Sequence, residues 1–133
     1  MNTIKKLVYF LPLFGLSAVY AVHALGVFSP EEMHEYLEII EGLGLSPDVS
    51  NILAWGVLPL DGTVVLLLLF GNKLMANFPW KWLFLWAGLW PWVPRTLEII
   101  SGLEPEYLNS VVASILAVLA YYVYQKQGSL FKR

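Results

Sequence analysis

Apolar side chains gather into four long runs separated by short polar stretches: Leu7 to Phe28, Val49 to Phe70, Phe78 to about Ile100, and Tyr107 to Tyr124. Each is close to the roughly 17–25 residues that carry a helix across a hydrocarbon core of about 30 Å. Lipid offers no water to a bare backbone, so spanning segments are helices or closed barrels, and these runs lack the alternation of a barrel strand. The pattern predicts an all-α membrane protein. It forms a four-transmembrane-helix bundle in a single domain over residues 1–133, with helices at about 6–28, 49–70, 78–100 and 107–124.

Between the first two runs, Ser29-Pro30-Glu31-Glu32 combines an N-cap serine, a proline at the first helical position and a glutamate three residues on, which together start a helix. Met33, Tyr36, Leu37, Ile40 and Leu43 follow at helical spacing, with Glu31, Glu35, Glu38 and Glu41 on other faces. Gly42 and Gly44 supply the stop. This predicts a short amphipathic surface helix over residues 30–42, its apolar stripe turned to lipid or to the bundle. The second spanning helix restarts with the same device at Ser46-Pro47-Asp48.

Two of the spanning runs are irregular. The second contains Pro59-Leu60-Asp61-Gly62, where Asp61 is the sole charge between Val49 and Phe70. Counted from Val49 at 1.5 Å per residue it lies roughly 18 Å deep, near the midplane. An ionisable group there costs about 2.5–3.5 kcal/mol on insertion scales, so Asp61 should face the bundle, be protonated or be paired. The third run opens with Trp80 and Trp82 as an interfacial belt, carries Trp86 and Trp90 deeper on one face, and ends in Trp90-Pro91-Trp92-Val93-Pro94-Arg95-Thr96-Leu97-Glu98. Pro91 and Pro94 deprive the carbonyls of Ala87 and Trp90 of their helical donors, a vacancy Arg95 could fill. The fourth run places Ser110, Ala113, Ser114, Ala117 and Ala120 along one side, a small-residue face for close packing.

One heptapeptide recurs. Leu37-Glu38-Ile39-Ile40-Glu41-Gly42-Leu43 reappears 60 residues later as Leu97-Glu98-Ile99-Ile100-Ser101-Gly102-Leu103, with one difference. Taken as a structural repeat, it divides the chain into two parallel helical hairpins, each with an amphipathic segment after its first helix. Arg95 and Glu98 then lie on the outer surface. If the third helix instead runs to Gly102, Arg95 is roughly 10 Å deep and within reach of Asp61.

Composition agrees with the class: 58% of residues are apolar and 14% charged. Charge placement sets orientation. Lys5, Lys6, Lys73, Lys81, Lys126, Lys132 and Arg133 fall on one side of the predicted bundle, and the acids of residues 31–48 with Glu104 and Glu106 on the other. By the positive-inside rule this places the chain in a plasma membrane, expected to be prokaryotic, with both termini cytoplasmic. The first run also reads as a signal peptide with Val22-His23-Ala24 as cleavage site, but its length exceeds the roughly 7–15 residues of a signal core and favours retention. With no cysteine, thiol redox chemistry and thiolate metal sites are excluded. A net charge of −2 without a basic stripe argues against nucleic acid.

The candidate ligand or proton groups are therefore Asp61, Arg95, His23 and Glu98, with Tyr20, Trp55, Trp86 and Trp90 as candidate pocket walls. No catalytic residue is assigned, since nucleophile, metal-cluster and cofactor motifs are lacking. His23 alone makes no metal site. The acidic loop after the first helix and the run from Asp61 to Gly71 resemble the DoxX-like membrane proteins, whose second helix carries a glutamate about ten residues before a glycine. Aspartate stands in that place here, and the family's basic residue near the end of helix one has no counterpart beside Gly26. The resemblance implies a membrane subunit or accessory protein associated with a redox or quinone-linked partner, which the acidic outer helix would meet. The alternative from the residues themselves is a binder or carrier of a small lipophilic or protonatable molecule, with an outward-facing polar pocket around Asp61.

Overall fold

Four prolines decide where the long apolar runs break. The computed structural model describes residues 3–75 and 77–128, and these are helical with no strand. The elements are α1 (Thr3–Tyr9), α2 (Leu11–Leu25) with a 3-10 turn at Gly26–Phe28, α3 (Pro30–Glu41), α4 (Pro47–Trp55), α5 (Val57–Leu74), α6 (Trp80–Leu89), α7 (Trp92–Ile100) and α8 (Leu108–Gln127). A proline withholds the N–H that would bond four residues back and crowds that carbonyl. Pro12 thus interrupts the chain at Phe10, Pro59 at Gly56, and Pro91 with Pro94 at Trp90–Pro91. Lys132 and Arg133 lie outside the described residues.

Among the described residues, three segments are long and apolar enough to cross a membrane: Leu11–Phe28, Pro47–Leu74 and Leu108–Gln127. The third apolar run differs from expectation. It is two short helices, α6 and α7, and the 10 residues of α6 extend only about 15 Å.

α2 packs most extensively against α5 and α8, and α6 against α8. Ring contacts pair Trp80 with Tyr124 and Phe84 with Tyr121. Further along, a Cβ on Gly88 would stand 3.3 Å from that of Ala117, and Ser110 bonds the carbonyl of Pro91. The register runs antiparallel. The alanines expected on the small-residue face, Ala113, Ala117 and Ala120, are buried with Leu13, Leu16, Val64, Leu68, Leu83 and Phe84 in one core. Of the two tryptophans expected to form a belt, Trp82 is exposed, but Trp80 is 5% exposed and stacks on Phe84. Two residues, about half a turn of helix, separate an outward indole from an inward one.

α3 starts as its capping sequence dictates, with the Ser29 hydroxyl accepting from the Glu32 N–H. It packs on α4 and touches α7. The repeated heptapeptides thus end two helices that meet, where the Ser101 hydroxyl donates to the Ile39 carbonyl at 3.1 Å. Their stops differ. α7 closes on Gly102 at φ +79°, with Leu103 N–H returning to the Glu98 carbonyl, the left-handed glycine cap. After α3 the left-handed position is Gly44, two places later than the repeat predicts.

Candidate functional site

The break at Trp90–Pro91 exposes a row of carbonyls, and each described donor for them comes from a different part of the chain. Pro91 cannot serve the Ala87 carbonyl, so the Tyr20 hydroxyl of α2 donates to it at 2.6 Å. From α8, Ser114 donates to the Gly88 carbonyl and Ser110 to the Pro91 carbonyl, both at 2.8 Å. Val93 N–H closes on the Trp90 carbonyl at 3.0 Å. Ser114 also accepts from the Trp92 indole at 2.8 Å. The expectation that Arg95 would supply these donors is corrected: hydroxyl groups do so, and Arg95 is free to act elsewhere. Hydroxyls are short enough to fit between helices already in close contact.

Beside this break lies a cleft of about 50 Å³ lined by Val19, Tyr20, His23, Asp61, Trp90, Pro91, Pro94, Arg95, Asn109 and Ser110. Five of the residues singled out from sequence, Tyr20, His23, Asp61, Trp90 and Arg95, converge here from the first three apolar runs. Glu98 stands just behind, its Oε1 accepting from Arg95 Nη2 at 2.7 Å. Arg95 Nη1 is held by the Glu106 carbonyl at 2.5 Å. Trp55 and Trp86 are elsewhere. Trp55 meets Phe28 edge to face, and Trp86 stacks on Trp90 without lining the cleft. Asn109, Pro91 and Pro94 were not foreseen as lining residues. Asn109 is an amide in the first turn of α8, the polar entry to an otherwise apolar helix, and that position was the available signal.

The polar atoms of the cleft are incompletely satisfied. Asp61 is 5% exposed and its Oδ1 has no hydrogen-bond partner; Arg95 Nε and Glu98 Oε2 are likewise buried and unpartnered. The Trp90 side chain is placed to donate to the Asp61 carboxyl. His23 Nδ1 lies 3.1 Å from the Val19 carbonyl; a carbonyl can only accept, so Nδ1 is the donor in that contact.

The neighbours of Asp61 in the cleft lie near helix ends. His23 is two residues from the end of α2, and Asn109 and Ser110 are in the first turn of α8. The cleft is therefore near the α3 end of the bundle, not halfway along it. α4, which leads into α5, packs on α3. Tyr36 of α3 caps the same region, donating to the His23 carbonyl at 2.9 Å. Burial, with the Glu32, Asp61 and Glu35 carboxylates, pushes the Tyr36 phenol up to about 12. Gly26 makes room for it, since a Cβ there would strike the Tyr36 hydroxyl.

No family model, curated protein or solved structure matches the chain.

Proposed function

We propose that this is an integral membrane protein that binds, and in its carrier form moves, a small amphiphilic molecule through the cleft at the Trp90–Pro91 break. The observation that carries the reading is Asp61: a carboxyl group 5% exposed, with an oxygen that no protein group satisfies, turned into a cavity shared with Arg95. Buried polar atoms are normally paired, and an ionisable side chain held without a full complement of partners inside a membrane bundle is the usual mark of a ligand or proton site. In this proposal α6 and the start of α7 make the third of four crossings beside α8, giving two hairpins. The lysine-rich end is cytoplasmic in a prokaryotic plasma membrane, and the cleft opens outward beneath α3.

The test is chemical extraction. Wild type and Asp61→Leu, purified in matched lipid nanodiscs, are extracted with solvent and compared by mass spectrometry, with thermal unfolding recorded for both. A species retained by wild type and depleted from a folded Asp61→Leu supports the proposal. Identical extracts from two folded proteins refute it.

A second reading has one observation in its favour. Partial burial together with the neighbouring carboxylates of Glu32, Glu106, Glu98 and Glu31 pushes the Glu35 carboxyl up, which marks a crowded negative surface on α3. A basic partner protein would relieve that crowding, as in a DoxX-like accessory subunit of a redox or quinone-linked enzyme. Pull-down of a defined partner that survives Asp61→Leu but is lost on Glu31→Gln/Glu35→Gln/Glu38→Gln would favour this reading over the first.

A further inference from the structure

We infer that the outward face of α7 lies among the acyl chains of the membrane, so that the bilayer boundary falls beyond this helix, at about Gly102 to Glu104, with the Arg95–Glu98 pair at hydrocarbon depth. This rests on the chain being a membrane protein and not on the cleft having a ligand.

The polarity of α7 is inverted. A helix bordering water turns its charges out and its apolar stripe in, and α3 does so: its five glutamates are exposed, while Met33, Tyr36, Leu37 and Ile40 are half-buried. In α7 both charged side chains, Arg95 and Glu98, are mostly buried and bonded to each other, as charges at membrane depth should be. The outward side chains are Val93, Thr96, Ile99 and Ile100, the last two 56% and 66% exposed. The repeated heptapeptide is thus used in opposite senses: Glu38 is exposed, and its counterpart Glu98 is buried.

The polar side chain on that face is satisfied from within its own helix. The Thr96 hydroxyl donates to the Trp92 carbonyl at 3.0 Å, a partner that remains available where water is absent. Thr63 is exposed on α5 and donates to the Pro59 carbonyl in the same way, and α5 belongs to a segment of membrane-spanning length. The apolar stripe is also continuous. Leu85, Leu89 and Val93 are exposed at intervals of four residues, and Trp90 and Pro91 keep right-handed helical φ and ψ across the break. Beside them the Trp92 indole ties α7 to Ser114 of α8, a helix of spanning length that shows Leu108, Ile115 and Val118 outward. The first exposed charge after α7 is Glu104, where water can begin. A second copy of the chain is a poorer occupant. α7 has nine residues, so its face is roughly 13 Å long and about 10 Å wide, far short of the roughly 800 Å² per partner of a stable interface.

The chain has no cysteine, so Ile99→Cys, Ile100→Cys, Glu38→Cys and Val118→Cys each carry a single nitroxide label in lipid nanodiscs, with circular dichroism recorded for every variant. Power saturation then compares collisions with oxygen, which enters the acyl layer, and with chromium oxalate, an anion kept out of it. The expected oxygen-to-oxalate ratio at Ile99→Cys and Ile100→Cys matches that at Val118→Cys and exceeds that at Glu38→Cys by at least about tenfold. Ratios at both α7 positions equal to that at Glu38→Cys, with Val118→Cys still in lipid, would overturn the inference and leave the membrane reading standing. Dipolar broadening between labels at Ile100→Cys, with few collisions with either reagent, would overturn it in favour of a second copy. A water-like ratio at Val118→Cys would overturn the membrane reading as well.

Discussion

Tyr20→Phe should destabilise the bundle by about 2 kcal/mol, and nearly all of that cost should disappear when Pro91 is also replaced. Tyr20 is buried, and its hydroxyl donates at 2.6 Å to the carbonyl that Pro91 leaves unserved, that of Ala87. Removing the hydroxyl changes little packing but strands a carbonyl where no water competes, a loss of about 1–3 kcal/mol. In Pro91→Ala, residue 91 regains an N–H. Trp90 and Pro91 already have right-handed helical φ and ψ, and Trp90 N–H already bonds the Trp86 carbonyl, so the new N–H is positioned to serve Ala87. Tyr20→Phe in that background should cost no more than about 0.5 kcal/mol, a coupling of at least about 1 kcal/mol. The four proteins can be compared by unfolding in mixed micelles titrated with SDS, followed by circular dichroism, without added amphiphile because Tyr20 also lines the cleft. Equal costs of Tyr20→Phe in the two backgrounds would show that the proline-freed carbonyl is not what the tyrosine serves.

Ser114→Ala removes the donor to Gly88 and the acceptor for Trp92 together. It should cost about 2 kcal/mol in the same assay, more than Ser110→Ala, which strands one carbonyl. Arg95→Met leaves the Glu98 carboxylate buried without its cation and should cost about 3–5 kcal/mol; Arg95→Met/Glu98→Leu should recover most of it, and failure to recover would mean that Arg95 acts mainly through Glu106. Gly26→Ala drives a methyl into the Tyr36 hydroxyl and should speed amide exchange in α3 selectively, without comparable change in α8. Glu35→Gln should stabilise the protein near neutral pH. The folded state raises this carboxyl, so it disfavours the ionised form, and wild type loses stability as pH rises through the carboxylate range. The advantage of the glutamine variant should vanish below that range; a constant difference in melting temperature across pH would contradict the carboxylate crowding.

Much of the arrangement is legible in the sequence because long apolar helices leave few choices. Ser29-Pro30 and Ser46-Pro47 start helices where their chemistry requires, and the alanines of the fourth run are buried as their spacing predicts. Five side chains of the cleft stand out for the same reason: a charge, an imidazole, a phenol or an indole inside an apolar run demands an explanation. The donors at the break were harder to see. Ser110 and Ser114 look like mere spacers, and their second role depends on which carbonyls the neighbouring helix exposes. Trp80 and Trp82 share one composition signal, yet only the helical phase relative to α8 decides which of them turns inward.

The cleft shows what residue counting leaves out. Counting along one helix does not say which ends of its neighbours meet beside Asp61, here the end of α2 and the start of α8, with α4 packed on α3. The break at Pro91 and the short rise of α6 have a common consequence. α7 is a separate helix, and the Arg95 and Glu98 side chains on it are mostly buried, 14% and 10% exposed. The two alternatives posed by the repeat were therefore not exclusive. α7 is a separate helix that meets α3, as the repeat implies, and it still delivers Arg95 to the cleft shared with Asp61. The break does not take Arg95 away from Asp61: both still line one cleft, and each carries a buried hydrogen-bonding atom without a partner.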